Sequence, residues 1–183
     1  MTVVGDGDAA ADYGGYDAVV FDLDGTLVRL AVDWDAAASD AVALFERHGH
    51  DAAGAGLWDL LERADDVGLR SELEAVLAEH ETSGAAASER LAHADHLPLS
   101  VPTGVCSLNC EAACRTALER HDLADHVASV VGRDSVPTYK PDPAPLLATL
   151  DDLGVVPDRG LFVGDSERDA VTAERAGVDF RWV

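Results

Sequence analysis

Short apolar runs alternate with amphipathic stretches along most of this 183-residue chain. The run DAVVFD, residues 17–22, is apolar and ends in an acid, which is typical of a buried strand in a parallel sheet. Further strands are predicted over 101–107, 127–131, 161–163 and 178–183, and helices over 110–121, 146–153 and 167–176. Strands that alternate with helices at these intervals form βαβ units. The pattern therefore predicts an α/β fold with a parallel sheet and helices on both faces.

A purely helical segment separates the first predicted strand from the others. Apolar positions recur at helical spacing in three stretches of this segment, with Asp33 as the N-cap of the first. Ser71 and Glu74 are spaced as a capping box at the start of the last stretch. Three large apolar side chains are expected in the core of this helical unit: Trp34, Phe45 and Trp58.

These patterns divide the chain into three parts. Residues 1–15 are rich in Gly, Asp and Ala without periodicity, and are predicted to be a mobile tail. Residues 16–28 and 85–183 carry the strands and are predicted to form the α/β core. Residues 29–84 are predicted to be a small all-helical insertion in that core.

The charge balance limits the partners that the chain can have. Thirty-five acids face 13 bases, for a formal net charge of −22. Nucleic acids and anionic membranes are bound through Lys and Arg, so neither is an expected partner. Asp outnumbers Glu about two to one and only one of the bases is Lys, which is typical of proteins from salt-accumulating, halophilic cells. The N-terminus lacks a basic and apolar leader, so a cytoplasmic location is expected.

Polar residues follow the predicted strands at one edge of the sheet, where ligands of open α/β folds bind. They are Asp22 and Asp24 in DLDGT, Ser107, Lys140 in KPDP, and Asp165 and Asp169 in GDSERD. In a chain this rich in Asp, DxDGT arises by chance in roughly 1% of sequences, and GDSxxD about as often. Because both motifs occur together, each directly after a strand, chance is a poor explanation.

Several ionised carboxylates can share a small site only when a cation compensates them. Oxygen ligands favour a hard divalent ion, and Mg²⁺ is the cofactor that we expect. A carboxylate beside such an ion can attack phosphorus and form an acyl-phosphate. Asp24 is placed two positions after Asp22, where the chain can curl at Gly25, and it could exchange the protons of the reaction.

FDLDGTL, Ser107, the KPDP segment and GDSERD resemble the four motifs of the haloacid dehalogenase superfamily, and most closely its phosphoglycolate-phosphatase-like members with a helical cap. The resemblance covers residues 16–183. It implies a Rossmann-like core and a Mg²⁺-dependent phosphatase that acts on a small phosphorylated metabolite. Its site would then consist of six residues of this chain: Asp22, Asp24, Ser107, Lys140, Asp165 and Asp169.

The resemblance also assigns roles to these residues. Asp22 would be the nucleophile and Asp24 the general acid and base. Mg²⁺ would bind Asp22, the backbone carbonyl of Asp24, and Asp165. Asp169 would assist the metal or hold Lys140. Ser107 would bind the phosphoryl oxygens together with Lys140, which would also neutralise charge on Asp22.

Three features depart from the family pattern. The predicted cap is short. Asn109 is separated from Ser107 by one residue, so we interpret it as the N-cap of the next helix, with a contact to the phosphoryl group as the alternative. Arg29 lies where the first strand leads into the cap, either as a surface charge or as a ligand for a substrate anion.

Other functions compete with the phosphatase. A phosphomutase would use the same nucleophile and acid, but it needs a cap that excludes water between its half-reactions. A dehalogenase would have no use for Asp24, because a halide leaves without a proton. A catalytically idle binding module is the third alternative, since a fold does not fix a function.

Overall fold

The computed structural model describes residues 3–4 and 13–183. Its strands, in chain order, are β1 (Val3–Val4), β2 (Ala18–Phe21), β3 (Val28–Arg29), β4 (Glu89–Arg90), β5 (Thr103–Cys106), β6 (Ser129–Val131), β7 (Gly160–Gly164) and β8 (Asp179–Trp182). Its α-helices are α1 (Trp34–Arg47), α2 (Leu57–Asp66), α3 (Arg70–Ala86), α4 (Glu111–Arg120), α5 (Ala144–Asp152) and α6 (Glu167–Ala176). Short 3₁₀ turns lie at Ala92–His96, Ala124–His126 and Pro157–Arg159.

Six strands form one parallel sheet in the order β1-β8-β7-β2-β5-β6. Side chains of a strand point alternately to its two faces. In β2, Val19 and Phe21 therefore join a core beneath α4, whereas Ala18 and Val20 join a second core beneath α5 and α6. Because both of its faces are covered, β2 is apolar and buried at all four positions. The predicted Rossmann-like α/β fold is confirmed.

Helices α1, α2 and α3 form a separate helical unit with its own core, which we call the cap (residues 34–86). Phe45, Leu60, Leu61 and Leu73 are fully buried in that core. The capping residue of α1 is Asp33, as predicted, because its carboxylate accepts a hydrogen bond from the Ala36 amide. The extent of the cap as a domain stays a prediction.

Both ends of the insertion are joined by a short antiparallel ribbon that the sequence did not reveal. In this ribbon β3 pairs with β4, so that Val28 lies opposite Arg90 and Arg29 opposite Glu89. Two-residue strands are too short to produce a recognisable alternation of polar and apolar residues. The ribbon places the start and the end of the cap side by side above the carboxyl end of β2.

Helix α3 extends beyond the end predicted for it and connects the cap to the core. It continues through Gly84 to Ala86, and its main packing partner is α4 of the core. A Cβ atom at position 84 would lie 2.5 Å from Cγ2 of Val32, so glycine permits the close passage of the entering chain. The glycine at the predicted end of the insertion is thus a packing site within the helix.

Three further expectations need correction. Trp34 and Trp58 are 41% and 37% exposed, so they are not part of the cap core, unlike Phe45. The Ser71 capping box is absent, because the N-cap of α3 is Leu69, two residues before Ser71. Most of the predicted tail, residues 1–15, lies outside the described residues, but Tyr13 is buried in the core and its hydroxyl contacts the His96 ring.

Among the described residues, no helix combines the length and the apolar character needed to cross a membrane.

Candidate active site

The loop after β2 places two carboxylates at the carboxyl edge of the sheet. The Asp22 amide donates to the Val163 carbonyl, which continues the pairing of β2 with β7 and fixes the position of Asp22. The chain then turns sharply, and Leu27 and Val28 both donate to the Leu23 carbonyl. Asp24 thereby points away from the strand, and its Oδ1 accepts a hydrogen bond of 2.8 Å from the Leu30 amide. The turn thus separates two acids that are close in sequence.

Gly25 is required at the centre of this turn. Its φ of 90° lies in the left-handed region that favours glycine. A Cβ atom on its backbone would also overlap the carboxylate of Asp165. The glycine of DLDGT therefore serves both the turn and the close approach of the loop that follows β7.

Lys140 lies buried between two of the predicted carboxylates. Its Nζ donates to Asp22 Oδ1 at 2.8 Å and also to Asp169 Oδ1. Burial lowers the pKa of Lys140, but Asp22 and Asp169 outweigh burial and raise it above its ordinary value. Burial raises the pKa of Asp22 to about 7, although the positive charge of Lys140 lowers it. The lysine is thus held as a cation directly beside the candidate nucleophile.

The loop after β7 supplies the other acids. Ser166 caps α6, and its hydroxyl and amide both donate to Asp169 Oδ2. Since Lys140 binds the other oxygen, both oxygens of Asp169 are engaged. Asp165 is exposed as a residue, but its carboxyl group is partly buried, and this partial burial together with the charge of Asp169 raises its pKa.

Carboxylate oxygens of Asp22, Asp165 and Asp169 all lie within 4.8 Å of one another. Such an all-oxygen donor set fits a small hard cation. The two loops approach so closely that a Cβ atom at position 25 would overlap the carboxylate of Asp165. Lys140 binds Oδ1 of Asp22, so the second oxygen of that carboxylate is not bound by the lysine. The residues present therefore fit Mg²⁺, with the Asp24 loop beside them.

Ser107 lies at the end of β5 as predicted, but its hydroxyl is engaged. It donates to Asn109 Oδ1 at 3.1 Å and accepts from the Asn109 amide at 3.2 Å. The N-cap of α4 is Cys110 rather than Asn109, so our interpretation of Asn109 was wrong. Asn109 is instead buried and lines the cavity next to Asp22. Arg29 is exposed in β3 and does not line the cavity.

A buried ionic cluster that the sequence analysis missed joins the core to the cap. Arg133, which follows β6, contacts Glu74 and Glu81 of α3 through its Nε and both terminal nitrogens, and it also donates to the Leu108 carbonyl. Glu81 in turn accepts a hydrogen bond from the Cys110 amide at the start of α4. The side chains of Arg133 and Glu81 are 2% and 1% exposed. The ion pairs outweigh burial and raise the pKa of Arg133.

Two signals in the sequence could have identified this cluster. Arg133 follows a strand at the same edge of the sheet as the other site residues. Glu74 and Glu81 are seven residues apart, so they lie on one face of a helix. The prediction of a capping box at Glu74 hid that pattern.

A cavity of about 160 Å³ lies between the cap and the carboxyl edge of the sheet. Asp22, Asp24, Lys140 and Ser166 line it on the core side, with Arg133 and Glu81 at the junction. Its cap side is formed by Trp34, Trp58 and three leucines. The space suits a phosphoryl group with a small substituent, since pockets for drug-sized ligands are about 300–1,000 Å³.

The parallel α/β core holds an aspartate and a lysine in contact at the floor of a small cavity, and comparisons with known proteins identify the class of hydrolase and its family. Residues 95–183 match the family described as haloacid dehalogenase-like hydrolase. The phosphoglycolate phosphatase of Rhodospirillum rubrum is 36% identical over 190 residues, which cover 88% of this chain and 76% of that protein. The phosphoglycolate phosphatase of Cereibacter sphaeroides is 36% identical over 187 residues, covering 88% and 82%.

The chain therefore belongs to the haloacid dehalogenase superfamily of hydrolases. It is a phosphoric monoester hydrolase, similar to the phosphoglycolate phosphatases of that family. The fold agrees with a solved structure, a superfamily hydrolase of subfamily IA from Geobacter sulfurreducens. That structure has a TM-score of 0.61 and 24% identity, and the match covers 92% of this chain and 94% of that one.

Proposed function

We propose that this chain is a Mg²⁺-dependent phosphatase that hydrolyses a small phosphate monoester through an aspartyl-phosphate on Asp22. The observation that carries the proposal is the contact of Lys140 with Asp22 on the floor of the cavity, beside the carboxylate of Asp165. Lys140 orients the buried carboxylate of Asp22 for attack on phosphorus. The same cation would lie beside the phosphoryl oxygens and stabilise their negative charge.

In the first half of the reaction, an oxygen of Asp22 attacks phosphorus and the ester P–O bond breaks. Asp24 gives its proton to the departing alcohol oxygen. In the second half, Asp24 takes a proton from water, whose oxygen attacks phosphorus and breaks the bond to Asp22. Inorganic phosphate leaves, and both aspartates return to their starting states.

The remaining residues bind and orient. Asp22, Asp165 and the Asp24 backbone carbonyl would hold Mg²⁺, which when bound withdraws charge from the phosphoryl oxygens. Asp169 binds Lys140 and thereby keeps its ammonium group aimed at Asp22. Ser107 is proposed to contribute to phosphoryl binding. Its hydrogen bonds with Asn109 hold the side-chain amide of Asn109 next to the proposed phosphoryl site.

The test of this function is phosphate release from p-nitrophenyl phosphate and from a panel of small monoesters. We expect turnover with Mg²⁺, none after exhaustive chelation, and poor turnover with Ca²⁺, because Ca²⁺ takes more ligands at longer distances and loosens the in-line geometry. Full activity in a metal-free sample, verified by elemental analysis, would overturn the proposed site.

Replacement of Asp24 by Asn should affect substrates unequally. Esters of alkyl alcohols, which need a proton on the departing oxygen, should lose about 10²–10⁴-fold in kcat. The loss should be much smaller for p-nitrophenyl phosphate, because nitrophenolate leaves readily as an anion. Steady-state kinetics on both substrate types measure this difference, and equal losses would contradict the role of Asp24 as the acid.

The composition supports a salt-adapted cytoplasmic enzyme. With a net charge of −22, the surface acids repel one another, and the Debye length falls from about 10 Å at 0.1 M salt to about 3 Å at 1 M. We therefore expect the melting temperature to rise between 0.1 M and 2 M KCl at fixed Mg²⁺. Thermal scans measure it, and a melting temperature that is flat or falls would contradict salt adaptation while leaving the phosphatase proposal intact.

A further inference from the structure

Two tryptophans of the cap line the catalytic cavity with much of their surface exposed. Trp34 begins α1 and Trp58 lies in the first turn of α2, and both face the space above Asp22 and Asp24. They are 41% and 37% exposed, whereas Phe45 of the same unit is fully buried. An exposed indole contributes nothing to the cap core, but it offers a large, rigid apolar surface to a ligand.

Trp58 is also held in place by the core. The guanidinium of Arg168 lies over its ring, 4.1 Å from the ring centroid. Arg168 is adjacent to Asp169 in α6, so this cation–π contact ties the indole to the helix that carries Asp169. The position of Trp58 relative to the phosphoryl site is therefore fixed before a substrate binds.

The charges around the cavity disfavour a second anionic group on the substrate. Among the described residues that line it, only Lys140 and Arg133 are cationic. Lys140 binds Asp22 and Asp169, and Arg133 is engaged by Glu74, Glu81 and a carbonyl. Glu81 itself lines the cavity. Inside the cavity, a substrate carboxylate would thus approach a buried glutamate, and both cations of the lining are already paired.

We propose that Trp34 and Trp58 contact the leaving group, and that the preferred substrate is a phosphate monoester of a small uncharged alcohol with an apolar face. This inference rests on the proposed phosphatase function and specifies its substrate class. The proposed leaving group therefore differs from glycolate, which is the leaving group that the names of the relatives imply for those proteins.

The experiment compares benzyl phosphate with 2-phosphoglycolate in the full-length Mg²⁺-loaded protein. Both are esters of primary alcohols and need a proton on the departing oxygen, so they make similar demands on Asp24. One carries an apolar ring and the other a carboxylate. We expect kcat/KM to be at least about tenfold higher for benzyl phosphate. No turnover of these esters or of p-nitrophenyl phosphate would refute the phosphatase function itself.

Variants assign the preference to the two indoles. Trp34→Ala and Trp58→Ala should each raise KM for benzyl phosphate about tenfold, which corresponds to about 1.4 kcal/mol, because each variant loses an aromatic contact with the leaving group. Both Ala variants should change the KM for 2-phosphoglycolate by no more than about twofold. Trp→Phe at either position should restore most of the affinity for benzyl phosphate. Inhibition by inorganic phosphate, which reports the phosphoryl site alone, should be unchanged. Leu147→Ala, at a side chain of similar exposure outside the cavity, is the matched control.

Two results would overturn the inference. One is a preference for 2-phosphoglycolate, which would mean that Arg133 releases a glutamate to bind the substrate carboxylate. The other is that both Ala variants weaken the binding of benzyl phosphate, 2-phosphoglycolate and inorganic phosphate equally. The tryptophans would then stabilise the cap rather than contact the leaving group.

Discussion

Asp22→Asn should abolish turnover while the protein stays folded. An amide cannot form the acyl-phosphate, and removal of a covalent nucleophile typically costs on the order of 10⁶-fold in kcat. The fold should survive because Lys140 keeps its bond to Asp169, so that its buried charge remains paired. Phosphate release in long incubations measures the loss, and denaturation curves report the fold.

The matched control is Asp17→Asn. Asp17 lies just before β2, at the opposite end from Asp22, and it forms an exposed ion pair with Arg159. This substitution should leave kcat unchanged, because exposed ion pairs contribute about 0–1 kcal/mol and Asp17 is far along the strand from the cavity. If Asp22→Asn retained more than a few per cent of the activity, the nucleophile would have to be assigned elsewhere.

Arg133→Met should be the most destabilising single substitution in the junction between cap and core. It would leave Glu81 buried without its cation, and breaking a buried pair in this way costs about 3–5 kcal/mol. Because whole domains have free energies of unfolding of about 5–15 kcal/mol, a loss of this size is readily measured by urea denaturation in high salt.

Two variants test whether the unpaired charge is the cause. Arg133→Met combined with Glu81→Gln should recover much of the loss, since the buried charge is gone and the amide oxygen can still accept from the Cys110 amide. Arg115→Met, which breaks the exposed pair with Glu111, should shift the midpoint little. A double variant as unstable as Arg133→Met would instead point to lost packing of the arginine side chain.

The site residues were predictable because they obey a local rule. Asp22, Asp24 and Asp165 each follow a strand of a parallel sheet, and the carboxyl ends of such strands share one edge. Lys140 was identified because it is the only lysine in the chain. Their roles remain proposals, but their convergence on one cavity follows from the topology that the alternation of strands and helices predicted.

The errors have a common origin in contacts between distant segments. Trp34 and Trp58 were assigned to the cap core because helical periodicity shows that a face is apolar, but not whether a cavity lies opposite it. Asn109 was interpreted as an N-cap because caps are inferred from residue type, whereas Glu81 accepts a bond from the Cys110 amide at that helix start.

The sequence by itself determined the fold class, the alternation of strands and helices in the core from β5 onward, and the acids and the lysine at the carboxyl edge of the sheet, because these depend on local periodicity and on the regular geometry of βαβ units. The tertiary structure alone decided how the cap sits on the core. The pairing of Arg133 with Glu74 and Glu81 and the stacking of Arg168 on Trp58 join residues more than 50 positions apart. Such contacts follow from the packing of whole elements, which no pattern along the chain encodes.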